Sequence, residues 1–209
     1  MKINRLLKIL LAFVAVAVGL AACTRIENVS RHRGGQTATA IFAGGCFWCM
    51  QRDFEQLSGV VDVEAGYTGG WLSSPNYEAV SLGDTGHTEA VRVYYDPTVL
   101  SYRQLVDYFW RHIDPTVKNR QFCDIGSQYR SAIYWQDDEQ RQIAMNSLAA
   151  LLNSGRFKMI YTEMAPAAEF WPAEDYHQGY ARKNPLRYNY YRFACGRDAR
   201  VAEVWGSVK

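Results

Sequence analysis

The chain has 209 residues, which is enough for one domain with a sizeable core and too few to favour two domains. With 48% apolar and 21% charged residues its composition is ordinary for a globular protein, and a formal net charge of +2 argues against a nucleic-acid partner. Its 14 tyrosines and 6 tryptophans either fill the core or line a pocket for a small apolar group.

The first residues of the chain predict a targeting segment. Lys2, Arg5 and Lys8 precede an apolar run over residues 9–20, which is too short for a comfortable membrane span. The run ends in Leu-Ala-Ala-Cys, which resembles the lipobox of bacterial lipoproteins. This resemblance implies cleavage before Cys23, which would then carry lipid.

Two alternatives remain for this segment, namely an ordinary signal peptide cut near the small residues and an uncleaved anchor. In lipoproteins an aspartate after the cysteine would favour the inner membrane. The residue here is Thr24, which favours the outer membrane, on the periplasmic side. The next residues are polar and aperiodic, which is typical of a tether. We therefore predict a lipoprotein-type signal at 1–22, a tether at 23–36 and an exported, lipid-anchored domain at 37–209.

Strand and helix patterns alternate through this domain. In chain order the sequence predicts a strand at 37–42, a helix at 47–56, strands at 60–67 and 89–95, a helix capped by Ser101, a strand at 130–135, a helix capped by Asp137 and closed by Gly155, and a strand at 158–164. The aromatic remainder, punctuated by Gly and Pro, predicts mostly loop. The order indicates an α+β fold: a two-layer sandwich around a small mixed sheet, in a single domain with a long C-terminal loop region.

Of the five cysteines, Cys46 stands out by its position. With Cys23 assigned to lipid, four remain in an exported domain, where any pair could be a structural disulfide. Cys46, however, follows a strand and two glycines and comes where a helix begins. Unpaired backbone N–H groups and the positive end of the helix dipole favour a thiolate there. The glycines allow a tight turn and the close approach of another molecule. Cys46 is therefore a candidate nucleophile.

The residues around Cys46 resemble a known family. Gly-Cys-Phe-Trp at 45–48 is the active-site motif of the A-type peptide methionine sulfoxide reductases. Five further motifs resemble that family, in the family's order, within about residues 38–206: Gly-Tyr-Thr-Gly-Gly at 66–70, Asn-Tyr-Glu-Ala-Val at 76–80, Gly-Asp-Thr-Gly-His-Thr-Glu at 83–89, Gly-Ser-Gln-Tyr-Arg-Ser at 126–131 and Pro-Ala-Glu-Asp-Tyr-His-Gln at 172–178. The resemblance implies an enzyme that reduces methionine S-sulfoxide, free or in proteins, without a cofactor.

This chemistry needs a nucleophile, an acid and an apolar wall, because a sulfoxide sulfur is a poor electrophile until its oxygen is protonated or hydrogen-bonded. A thiolate then attacks sulfur, which releases methionine and leaves cysteine sulfenic acid. The resemblance implies Cys46 as nucleophile and Glu89 as acid, with a pKa raised by neighbouring aromatic side chains. The other residues that match the family's site are Phe47 and Trp48 around the substrate methyl group, Tyr77 and Tyr129 as hydroxyl donors to the sulfoxide oxygen, and Asp124 as the carboxylate on the loop of Tyr129.

Each of these residues also has an ordinary structural explanation. A glutamate that opens a strand, such as Glu89, is usually solvated, and Tyr77 and Tyr129 are two tyrosines among many. Asp124 before Ile-Gly could simply make a turn. A lone histidine usually forms a structural hydrogen bond, so His177 stays outside the catalytic set.

The resolving thiol is where the chain departs from the family pattern. A sulfenic Cys46 must be reduced through a disulfide, and Cys49, Cys123 and Cys195 all compete for it. Many relatives have a small residue at position 49 and no thiol at position 123. Family members commonly carry the resolving thiol in the C-terminal region, so Cys195 ranks first and Cys49 second. A thioredoxin-like reductant in the envelope would then reduce the disulfide.

Three rival interpretations use the same cysteines differently. A thioredoxin-like disulfide oxidoreductase could be built on Cys46-x-x-Cys49, but the motifs around Glu89 would then have no role. A disulfide-stapled envelope scaffold would have no reactive thiol. A zinc site is disfavoured, because the sequence has no second Cys-x-x-Cys and its histidines are scattered. No metal is therefore expected.

Overall fold

The structure is a computed structural model that describes residues 37–206. The predicted signal segment, the lipidated Cys23 and the tether lie outside the described residues. Among the helices of residues 37–206, none is long and apolar enough to cross a membrane.

Strands and helices alternate along the described chain. The strands are β1 (Ala38–Gly44), β2 (Val60–Thr68), β3 (Thr88–Tyr95), β4 (Arg120–Gln121), β5 (Asp124–Ile125), β6 (Ser131–Trp135), β7 (Glu163–Pro166) and β8 (Trp171–Pro172). The helices are α1 (Phe47–Phe54), α2 (Tyr77–Leu82), α3 (Tyr102–Trp110), α4 (Asp138–Asn153), α5 (Tyr180–Lys183), α6 (Pro185–Ala194) and α7 (Arg197–Trp205), with a 3₁₀ turn at Ser127–Tyr129.

Six of these strands form one mixed sheet in the order β7-β6-β1-β3-β2-β8, and β4 and β5 form a separate hairpin. The pair β6–β7 is parallel and the other neighbours are antiparallel. The mixed sheet and its helices confirm the predicted α+β fold. Because β1 lies at the centre of the sheet, the residues that follow it are positioned by neighbours on both sides.

Alternation along β1 divides the core between the two faces of the sheet. Phe42 points to the helical face, where its ring stacks 5.1 Å from the rings of both Phe54 in α1 and Phe109 in α3. Ile41 points to the other face, which the chain around Phe170 covers after β7. The active-site helix α1 is thus packed directly against the central strand.

The prediction of a long C-terminal loop is wrong from residue 180 onward, where α5, α6 and α7 follow one another. The glycines and the proline that predicted loop lie at helix ends instead. Gly179 and Gly196 precede α5 and α7 with positive φ angles of 61° and 67°, and Pro185 is the first residue of α6. The last predicted strand is also displaced, because β7 begins only at Glu163.

Candidate active site

The turn between β1 and α1 presents Cys46. Gly45 adopts a positive φ of 83°, and a Cβ atom there would lie 2.6 Å from the Cβ of Gln121. Only glycine satisfies both conditions, because other residues avoid this φ and would collide with the β4 strand. Cys46 then serves as the N-cap residue of α1 and is only 6% exposed. The sequence thus fixes the nucleophile candidate at a buried helix start.

The thiols of Cys46 and Cys49 are neighbours on the first turn of α1, and each affects the pKa of the other. Burial raises the pKa of Cys46 well above its ordinary value, and the neighbouring Cys49, Glu89 and Asp124 raise it further. The pKa of Cys49 is lowered by its hydrogen bond with Cys46 and by nearby arginines. In the substrate-free site, burial thus opposes the thiolate that the start of a helix favours.

Glu89 lies on β3, where it pairs with Tyr67 of β2, and its side chain is buried. The backbone N–H of Phe47 donates a 2.9 Å hydrogen bond to its Oε2 atom. Burial raises the pKa of Glu89 to about 8, although the bond from Phe47 opposes the shift. The carboxyl group is thus mostly protonated at neutral pH, beside the N-terminus of α1.

Phe47 and Trp48 form an aromatic wall beside Cys46. Phe47 is fully buried, and its ring centroid lies 6.5 Å from that of Trp48. The Trp48 indole stacks on Tyr180 at 3.7 Å, and its Nε1–H donates to Nδ1 of His177 at 2.9 Å. Since Nδ1 accepts this bond, His177 is neutral, in agreement with a pKa lowered by burial. These two contacts fix the plane of the indole.

The two candidate hydroxyl donors share the environment of Cys46 and Glu89. Tyr77 opens α2, and Tyr129 ends the 3₁₀ turn after β5. Burial raises the pKa of both phenols, and Glu89 and Cys46 contribute to both shifts. Both are therefore protonated donors near the same point. The carboxylate of Glu174 secures Tyr77 by accepting its backbone N–H at 2.8 Å.

Asp124 follows Cys123 and is hydrogen-bonded to a residue that the sequence analysis does not identify. The phenol of Tyr191 donates to Oδ2 of Asp124 at 2.7 Å, and burial, followed by the nearby Cys46 and Asp124, raises the pKa of this phenol. Tyr191 belongs to α6, and its ring meets Trp48 edge-on at 5.9 Å. Because the sequence analysis predicts loop here, the helical turn that joins Tyr191 to Cys195 is not apparent from the sequence.

Cys195 is disulfide-bonded to Cys123, with 5.0 Å between their Cα atoms, while Cys46 and Cys49 are free thiols. The expected Cys46–Cys195 disulfide is therefore not the one in this structure. Cys123 is exposed, so the disulfide reaches the surface, whereas Cys46 and Cys49 are buried. Among residues 37–206, one group of side chains has metal-ligand geometry, Cys123, Asp124 and Cys195, and its two sulfurs are in this disulfide.

Comparison with known proteins identifies the family. A family model described as peptide methionine sulfoxide reductase matches residues 38–209. The chain belongs to this family. A relative from Bacillus licheniformis, peptide methionine sulfoxide reductase MsrA, is 46% identical over 168 residues, which is 80% of this chain and 93% of the relative.

Two further relatives agree with this assignment. The MsrA/MsrB protein of Vibrio cholerae is 48% identical over 169 residues, which is 80% of this chain but only 45% of that longer protein. Methionine sulfoxide reductase A of Corynebacterium diphtheriae has a solved structure that is 38% identical, with a TM-score of 0.67. The match covers 75% of this chain and 78% of that one. The comparisons thus place the chain in the A type of the reductase family.

Beyond the family motifs, the structure adds residues that hold the C-terminal helices on α1. Arg192 of α6 donates to Oδ1 of the buried Asp53 at 2.7 Å, and Arg197 of α7 lies 3.6 Å from its other oxygen. Both arginines also lower the pKa of Cys49. The sequence alone does not reveal these ion pairs. Asp53 lies one helical turn after Cys49, whereas its two arginine partners are about 140 residues further along the chain.

Proposed function

We propose that the chain reduces methionine sulfoxide, free or in proteins, to methionine, by attack of the Cys46 sulfur on the sulfoxide sulfur. One observation carries the proposal: a protonated carboxyl group, Glu89, is held by the N–H of the residue that follows the buried Cys46. Nucleophile and acid therefore meet at one point. The family resemblance implies the S epimer of the sulfoxide.

The site residues divide the reaction between them. The substrate methyl group lies against Phe47 and Trp48, and the hydroxyls of Tyr77 and Tyr129 donate to the sulfoxide oxygen. Glu89 gives its proton to that oxygen while sulfur of Cys46 attacks. The oxygen is transferred to sulfur, so that methionine leaves and Cys46 becomes a sulfenic acid.

Recycling then proceeds through two disulfides. Cys49 is the thiol in contact with Cys46, so it attacks the sulfenic sulfur, expels water and forms a Cys46–Cys49 disulfide. Reduced Cys123 and Cys195 exchange with that disulfide and become the exposed Cys123–Cys195 disulfide. A thioredoxin-like protein supplies the two electrons that reduce it. This order makes Cys49 the thiol that resolves the sulfenic acid, whereas the sequence ranks Cys195 first for that step, and it gives Cys195 the later exchange.

The assay that tests this function measures methionine formed from methionine sulfoxide with dithiothreitol as the electron source. The rival thioredoxin-like oxidoreductase would instead reduce insulin disulfides rapidly. Methionine production that requires the enzyme and its thiols supports the proposal, while fast insulin reduction without methionine production overturns it.

We also propose that the reductase is exported and anchored through lipid on Cys23, on the periplasmic side of the outer membrane. The positively charged start, the short apolar run and the Leu-Ala-Ala-Cys sequence support this location. Because cytosolic thioredoxin is absent from that compartment, the proposed reductant is a thioredoxin-like envelope protein tethered to a membrane. Cys23→Ser should move the protein from the membrane fraction to the soluble fraction, and unchanged membrane association would refute lipidation.

A further inference from the structure

The Cys123–Cys195 disulfide joins two unlike positions. Cys123 lies on the two-residue loop between β4 and β5 and is exposed, whereas Cys195 follows the last residue of α6 and is half-buried. The N–H of Cys195 donates to the carbonyl of Tyr191 at 2.9 Å, so the helical path continues to this residue. Cys195 therefore shares the face of α6 that carries Tyr188 and Tyr191, both of which pack with Cys49. Cys123 thus faces solvent, while Cys195 belongs to the inner face of α6.

Access from solvent differs between the two sulfurs in the same sense. Cys195 lines a surface cavity of about 340 Å³, which it shares with Phe122, Arg120 and Arg200. A small thiol fits a cavity of this size, whereas a cysteine held on the surface of another protein reaches its wall with difficulty. Attack on a disulfide depends on access to the sulfur that is attacked. A protein nucleophile is therefore directed to the exposed sulfur of Cys123.

The disulfide also breaks more favourably toward Cys195. The backbone N–H of Cys123 donates to Sγ of Cys195 at 3.3 Å, which stabilises a thiolate on Cys195. Arg120 brings a positive charge to the cavity that Cys195 lines. Cys123 has the opposite neighbour, because Oδ1 of Asp124 lies 3.8 Å from its sulfur. This carboxyl group also hinders an incoming thiolate, but open access and the better leaving group both favour attack at Cys123.

We propose that Cys123 is a further catalytic residue, which receives the attack of the reductant while Cys195 is the leaving group. This inference rests on the proposed recycling. The partner is a protein that carries two thiols in a Cys-x-x-Cys motif. A thiolate of the partner bonds to the Cys123 sulfur, and the electron pair of the broken Cys123–Cys195 bond passes to Cys195.

The second thiol of the partner completes the exchange. It attacks the partner's own sulfur in the mixed disulfide, so the partner leaves as a disulfide and Cys123 is released as a thiolate. The two protons of the partner's thiols pass through solvent to Cys123 and Cys195. The partner thus loses two electrons and the chain gains them, without any other oxidant or reductant.

A mixed-disulfide trap tests the direction of attack. The probe is a thioredoxin whose second active-site cysteine is replaced by serine, so that its first cysteine forms a bond that is not resolved. It is added to the oxidised full-length Cys23→Ser, Cys46→Ser, Cys49→Ser variant, whose only cysteines are Cys123 and Cys195. The reaction is quenched with acid within seconds, and peptide mapping identifies the sulfur attached to the probe.

We expect adducts on Cys123 to exceed those on Cys195 by roughly tenfold or more, because access and leaving-group stability act together. Equal amounts, a majority on Cys195, or no adduct while the disulfide persists would overturn the proposal. If the triple variant lacks the circular dichroism of the wild type, the oxidised wild-type protein is trapped in the same way and read by the same criteria.

Two matched single-cysteine proteins separate access from leaving-group stability. Adding Cys195→Ser or Cys123→Ser to the triple variant leaves one sulfur, which is loaded with thionitrobenzoate so that the leaving group is the same in both. Its release by thioredoxin is followed by absorbance, and we expect faster release from Cys123. Equal or faster release from Cys195 would contradict the argument from access and overturn the proposal.

Neither measurement uses a sulfoxide, so the two proposals fail separately. If the wild type releases no methionine from methionine sulfoxide while the probe is trapped on Cys123, the proposed function is wrong and the direction of attack stands. If methionine is released but the probe is trapped on Cys195, the function stands and this inference is wrong.

Discussion

Replacement of Glu89 by glutamine tests the proton donor of the reaction. Gln retains the length of the side chain and an oxygen that can accept the 2.9 Å hydrogen bond from Phe47, but it has no acidic proton to give. Sulfoxide reduction should therefore slow by roughly a hundredfold or more, which is the usual contribution of a positioned acid. The assay is single-turnover release of methionine, measured by rapid quenching.

The pH dependence gives the same prediction a second, independent form. With a pKa of about 8, roughly nine-tenths of the Glu89 carboxyl groups are protonated at pH 7 and about one-tenth at pH 9. The wild-type rate should therefore fall about tenfold between these two pH values through Glu89, and this fall should be absent from Glu89→Gln. A variant rate within about threefold of wild type, or an alkaline fall that persists in the variant, would refute the assignment.

Protein stability should report the same ionisation. Because the folded pKa is raised from 4.5 to about 8, the folded state binds a proton that the unfolded chain releases in this window, so stability is lost as the pH rises through it. The shift corresponds to an upper bound of roughly 5 kcal/mol. Urea unfolding of wild type and Glu89→Gln at pH 5 and pH 8.5 measures it. An equal loss in both proteins would contradict a protonated Glu89.

Two further predictions concern recycling and the active-site turn. Cys195→Ser should keep one round of sulfoxide reduction but lose multiple turnover with a thioredoxin-type donor. Steady-state assays with that donor and with dithiothreitol measure this loss. Full turnover with the protein donor would exclude a recycling role for Cys195. Gly45→Ala should lower the free energy of unfolding in urea by about 1–3 kcal/mol, because it combines a positive φ with a collision. Gly155 has a similar φ of 69°, but no atom lies within 4 Å of a Cβ added there. Gly155→Ala should therefore lower the free energy of unfolding by less. Equal losses in the two variants would show that the collision at Gly45 does not destabilise the protein.

The sequence predicts the fold best where local patterns and tertiary packing agree. The alternation in β1, the glycine turn and the helix after it are all recovered, since each is specified within a few residues. The C-terminal helices are missed because their aromatic residues lack a clear helical period. Their attachment depends on distant ion pairs with Asp53, which no local pattern can reveal.

The candidate site divides in the same way. Glu89 and Tyr129 could be named from motifs, because those motifs identify residues whatever their distance in the chain. The Cys123–Cys195 disulfide could not, because four cysteines allow three pairings and these two are 72 residues apart. Tyr191 could not be predicted either, because its hydrogen bond to Asp124 depends on a helix that the sequence does not predict.

The central claim, that Cys46 attacks the sulfoxide, is tested most directly by a single equivalent of methionine S-sulfoxide. The reduced Cys123→Ser, Cys195→Ser double variant has no exposed cysteine pair, so oxidation should stop at the first disulfide. We predict one methionine released per protein molecule and, on peptide mapping, a Cys46–Cys49 disulfide. Adding Cys46→Ser should abolish both. Release of methionine while Cys46 remains a free thiol, or from the variant that lacks it, would contradict the account.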